Sequence, residues 1–141
     1  MSEKLWMGGI YLKEEGGYEI ILKSLIHYRR RLQTIQKSPE LKEAAAMFAP
    51  LLQSTARKKI PNITETKEKI YQCLLNVIPS QSLEENLEIL QNALECRKAD
   101  IQKADETGTE YFINLLGDLS EAKKDLVPIK KAIKKINEYL E

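Results

Sequence analysis

Histidine occurs once in this chain, at His27, and cysteine twice, at Cys73 and Cys96. A Ser-His-Asp triad or a histidine-rich metal centre must use His27 or none. Cys-x-x-Cys and Cys/His spacings are absent, so a zinc site has no ligand set. The di-iron bundle pattern needs Glu-x-x-His on two helices, and three residues before His27 stands Ser24. Glycine is scarce, and neither Gly8-Gly9 nor Gly16-Gly17 is followed by the Lys-Ser/Thr of a phosphate loop. No metal or cofactor is expected, and no catalytic residue is assigned.

Long apolar runs are also missing. Leu5-Trp6-Met7 and Ile10-Tyr11-Leu12 are interrupted by Gly8-Gly9, which is neither a signal peptide nor a membrane span. A cytoplasmic protein is expected, with Cys73 and Cys96 unpaired and serving as small apolar filler. A net charge of +1 gives the whole molecule no electrostatic pull toward nucleic acid or acidic membranes.

What is present favours helix. Over 141 residues, 43% are apolar and 30% charged, ordinary for a single globular domain able to bury its own core. Tyr18, Ile21, Leu25, Tyr28, Leu32 and Ile35 alternate spacings of three and four, predicting a helix from about Tyr18 to Lys37. His27 falls off this stripe and is expected at the rim. Ser38-Pro39-Glu40 is a start signal for a second helix, with Leu41, Ala44, Ala45, Phe48, Leu51 and Leu52 as its apolar face. Pro50 should kink it, and Pro61 should stop it.

A third helix is expected from Asn62 or Thr64, buried through Ile63, Ile70, Leu74 and Val77 and ended by Pro79. Ser82-Leu83-Glu84-Glu85 reads as a capping box opening a fourth, with Leu83, Leu87, Leu90, Leu94, Ile101 and Ala104 inward. Arg97 occupies the seam of that stripe, where it either meets water or pairs with a charge, snorkelling to water being the commoner outcome. After Thr107-Gly108-Thr109, an apolar stripe runs from Phe112 through Leu115, Leu119, Ala122, Leu126, Ile129, Ile133 and Ile136 to Leu140. One long helix would follow, weakened at Gly117 and kinked or broken by Pro128, with the joint near Asp125 or Leu126. Leu126 and Ile133 are expected in the core.

The fold class is therefore all-α: a four- to five-helix up-and-down bundle over residues 18–141, with a long Pro-kinked C-terminal helix. Residues 1–17 read as a short non-helical arm, with Gly8-Gly9 placed to turn a hairpin. Leu5, Trp6, Met7 and Tyr11 make this arm a candidate protein interface, since Trp and Tyr bury large areas with few rotors.

Charge is unevenly spread. Residues 27–59 hold eight Lys/Arg and two Glu, while residues 62–110 hold five and ten acids. Arg29, Arg30, Arg31, Arg57, Lys58 and Lys59 are candidate nucleic-acid contacts, although three consecutive arginines fan around a helix rather than forming one patch. In an antiparallel pairing Arg57 should stand opposite the start of the first helix. Paired acids such as Glu14-Glu15 and Glu84-Glu85 fall at turns or caps, not at a general acid–base site. The functional expectation is a non-catalytic helical protein–protein interaction module, a small subunit or adaptor. Its partner is another protein or a second copy, and a nucleic-acid-binding accessory protein is the alternative.

Overall fold

The computed structural model describes residues 16–35 and 49–140. The arm with Leu5, Trp6, Met7 and Tyr11, and the Ser38-Pro39 start signal with Leu41 to Phe48, lie outside these residues. The described chain is an all-α bundle: α1 (Gly17–Gln33), α2 (Ala49–Leu74), a 3-10 helix (Ser80–Asn86), α3 (Leu87–Thr107), α4 (Glu110–Leu116), α5 (Leu119–Lys123) and α6 (Leu126–Leu140). Helix α1 lies centrally, packed on α2, α3 and α6. Ile21, Leu25, Ile63, Ile70, Leu83, Leu90, Leu94, Ile101, Ile129 and Ile136 form the fully buried core. No described helix is long and apolar enough to cross a membrane.

Helix α1 buries two adjacent stripes. Ile21, Leu25 and Tyr28 belong to the apolar one. Beside it Ile20, Ser24, His27 and Arg31 recur at four, three and four, and all are buried. Two stripes are needed because two long neighbours, α2 and α3, pack against the same helix.

Pro61 does not stop a helix. It stands inside α2, which replaces the two helices expected around it. Pro61 and Arg57 are both exposed, and the missing N–H deprives the Arg57 carbonyl of its intrahelical donor. The buried line of Ala56, Ile63, Thr66, Ile70 and Cys73 runs unbroken past the proline, and this packing outweighs its local cost. Pro50 stands in the first described turn of α2, and the stretch before it that the expected kink involves lies outside the described residues. Leu51 and Leu52, expected inside, are exposed because Ala56 carries the contact face of that stretch.

The helix ends at Leu74 rather than at Pro79. Asn76 takes a left-handed φ of 62°. Its N–H bonds the Cys73 carbonyl at 3.1 Å, while the Val77 N–H bonds that of Gln72 at 2.8 Å. This is a Schellman stop with asparagine in the glycine role. It turns Val77, expected inside, into solvent. Ser82 and Glu85 form no reciprocal cap. That stretch is the 3-10 helix, tied to α2 by Lys69 donating to the Ser82 carbonyl and to Asn86 Oδ1, and by Asn86 Nδ2 donating to Thr66.

The C-terminal stripe is divided into three helices. Gly117 (φ 80°, ψ −118°) breaks it first, and Asp118 Oδ1 then caps α5 by accepting from the Ser120 N–H at 2.9 Å. A second joint follows at Lys124–Asp125, close to its expected place. Pro128 is not at this bend. It lies in the first turn of α6, where the missing N–H has no intrahelical partner to lose. Leu126 and Ile133 are half-buried against the core, whereas Ile129, Ala132 and Ile136 are fully inside.

Gly117→Ala should destabilise the domain by ~1–3 kcal/mol through backbone strain alone, because an added methyl meets nothing within 4 Å. Ile129→Ala should cost ~2–5 kcal/mol and Ile133→Ala less, as read from urea midpoints at constant slope.

Candidate functional site

Between α1 and α3 lies a buried polar cluster. Asp100 is its centre, 3% exposed. Its Oδ2 accepts from His27 Nε2 at 2.7 Å and from Arg31 Nε at 3.0 Å, and the Cys96 thiol lies 3.7 Å away. His27 Nδ1 stands 3.2 Å from Arg97 Nη1. The same guanidinium reaches Asp125 Oδ2 through Nε at 3.2 Å and Nη2 at 2.9 Å. Asp125, at the joint before α6, also pairs with the largely exposed Lys23 at 3.0 Å. The Arg31 guanidinium lies 5.4 Å from the ring centres of both Tyr111 and Phe112. Tyr111 is itself fixed by a 2.8 Å hydroxyl bond with Thr34.

Local sequence explains the convergence. His27 and Arg31 are four apart on α1, and Cys96 and Asp100 are four apart on α3, so each pair shares a face. Arg97 lies on the same stripe as Leu94 and Ile101. Two full positive charges, Arg31 and Arg97, then meet two carboxylates, Asp100 and Asp125.

The hydrogen-bond pattern decides the state of His27. Arginine only donates, so Nδ1 must accept, and the ring proton sits on Nε2 and points at Asp100. The ring is therefore neutral. Burial lowers the pKa of His27, and the neighbouring Arg97 and Arg31 charges act in the same direction against the opposing pull of Asp100. The Cys96 thiol is pushed up to about 12, mainly by burial and then by the Asp100 charge.

His27, Cys96 and Asp100 offer ligand atoms within 4.8 Å of one another. As arranged, they match the guanidiniums better than an ion. A metal on Nε2 would drive the proton to Nδ1, against the Arg97 N–H, and the Asp100 oxygen already serves Arg31. A nucleophilic triad fares no better. Ser24 Oγ is buried with no hydrogen-bond partner, but both ring nitrogens of His27 are engaged elsewhere.

The structure corrects several sequence-based placements. His27 is not at a rim but 3% exposed, and Arg97 does not snorkel to water. Both are held inside by charged partners on another element. The spacing of Ile20, Ser24, His27 and Arg31 carried this signal and was masked by the stronger apolar stripe. Arg31 is consumed by Asp100, Arg30 is exposed, and Arg29 is half-buried with its Nε lacking a described partner. Arg57 stands beside the end of α1, sharing a cleft with Leu32, Gln33 and Ile35, because α2 continues far beyond it. Lys58 is exposed, while Lys59 reaches the Tyr28 hydroxyl at 3.5 Å. Cys73 is buried filler as expected, whereas Cys96 belongs to the polar cluster.

No family model, curated protein or solved structure matches this chain.

Asp100→Ala should cost about 3–5 kcal/mol, because Arg31 and the His27 ring proton lose their acceptor together. The native Cys96 thiol should resist alkylation at mildly alkaline pH and react once the chain is unfolded. Mass spectrometry after iodoacetamide labelling, with and without urea, reads this directly.

Proposed function

We propose that this chain is a non-catalytic helical module that binds another protein or a second copy of itself. The observation that carries this reading lies at the C-terminal end of α2. Tyr71 and Leu75, one helical turn apart, and Val77 beyond the Schellman stop are 44%, 74% and 65% exposed. Three large apolar side chains gathered at one helix end form the kind of patch that association covers. The buried ionisable groups, in contrast, bond one another. The apolar arm of Leu5, Trp6, Met7 and Tyr11 is a second contact under the same reading. Nucleic-acid binding loses support, since Arg31 is withdrawn from the basic run.

A triple variant, Tyr71→Ser with Leu75→Ser and Val77→Ser, should keep the native melting temperature and lose association. Sedimentation would read self-association, and recovery of a partner from lysate would compare native and variant chains side by side. Identical recovery and identical sedimentation for both would overturn the reading.

A further inference from the structure

We propose that His27 is an acid-operated latch: protonation of its Nδ1 expels Arg97, and with it the Asp125 tether that seats the start of α6 on α1 and α3. Arg97 is the only described group that touches both His27 and Asp125. Its Nη1 donates to a ring nitrogen that must be unprotonated to accept. A proton placed there sets N–H against N–H at 3.2 Å, and adds a positive charge beside a guanidinium already 6% exposed. The protonated ring keeps Asp100 through Nε2, so the movement falls on Arg97 rather than on His27.

Asp125 is where that movement is felt. Its backbone carbonyl accepts the Ile129 N–H at 2.9 Å, which makes it the residue that starts α6. With Arg97 withdrawn, Asp125 retains only Lys23 among the described side chains, and Lys23 is half in water. The contacts of α6 beyond that point are chiefly apolar, through Ile129, Ala132 and Ile136. Loosening its first turn therefore exposes a continuous apolar face backed by lysines.

The charged and titratable surroundings are named element by element. From α3, Asp100 opposes the latch by favouring the proton, while Arg97 disfavours it and Cys96 remains a neutral thiol. From α1, Arg31 disfavours the proton, and Lys23 shares Asp125. Lys59 of α2 and Tyr111 of α4 flank the cluster, and Lys131 of α6 lines the same surface cleft as Asp125 and Lys23. Because burial holds the His27 pKa below 6.5, the unfolded or opened ring takes the proton first. The latch is closed above pH 6.5 and its contribution is lost as pH falls below that value.

Hydrogen exchange read by mass spectrometry at about pH 7.5 and about pH 5, corrected for intrinsic rates, tests this on the full chain. Protection of residues 126–137 should be lost in acid. Residues 63–73 and 87–96 should change much less. No rise in 126–137, or an equal rise in all helices, would overturn the proposal. His27→Gln can donate to Asp100 and accept from Arg97 but cannot titrate, so it should abolish the acid response, and persistence of the response would sink the latch. Should that variant fail to fold, Asp125→Asn decides: it should loosen 126–137 already at neutral pH with little further change in acid. Unaltered exchange in that variant would mean Asp125 is no tether.

Discussion

An ionised carboxylate almost wholly removed from water is the constraint around which this bundle is arranged. Asp100 loses its hydration when α3 packs on α1, and isolated burial of such a charge is prohibitive. The chain answers with two donors from α1, His27 and Arg31, on a single oxygen. Each answer creates a further need. Arg31 must be shielded, and the rings of Tyr111 and Phe112 lie against it. His27 must be kept in one tautomer, which Arg97 enforces, and Arg97 in turn needs a carboxylate, supplied by Asp125. The network thereby runs from the middle of α1 to the start of the last helix.

Such a network is not an efficient source of stability, since hydrophobic packing of equal volume often does as well. Its effect is on alternatives. The apolar stripes of α1 and α3 repeat every three or four residues, and a seam of that kind tolerates slippage by a turn. Slippage here would leave Arg31, Arg97 and Asp100 buried without partners, so one register is strongly preferred. The same linkage makes His27 the point at which a proton reaches the C-terminal helix.

The functional reading follows from where chemistry is spent. The side chains that could bind an ion, attack a substrate or contact phosphate are partly turned inward: His27, Cys96, Asp100 and Arg31 neutralise or shield each other. Among the described residues, Tyr71, Leu75 and Val77 are exposed apolar side chains at the end of α2, and the outer face of α6 carries lysines.

Whereas the joint near Asp125 was expected from Pro128, which lies instead in the first turn of α6, the all-α class, the break at Gly108 and the weakness at Gly117 were readable from the chain alone. They depend on local quantities: backbone freedom, helix propensity and the spacing of apolar residues along one strip. Pro61 shows the limit, because its local penalty was legible while the buried line from Ala56 to Cys73 that overrides it belongs to contacts with α1. The burial of His27 and Arg97 was hidden for a deeper reason. Periodicity reports which residues share a face, but a charged side chain on that face is buried at tolerable cost only where a complementary group opposes it. Asp100 lies 73 positions from His27, and Asp125 lies 28 from Arg97. Only the packing of α1 against α3, and of the Asp125 joint against both, brings these groups within hydrogen-bond reach.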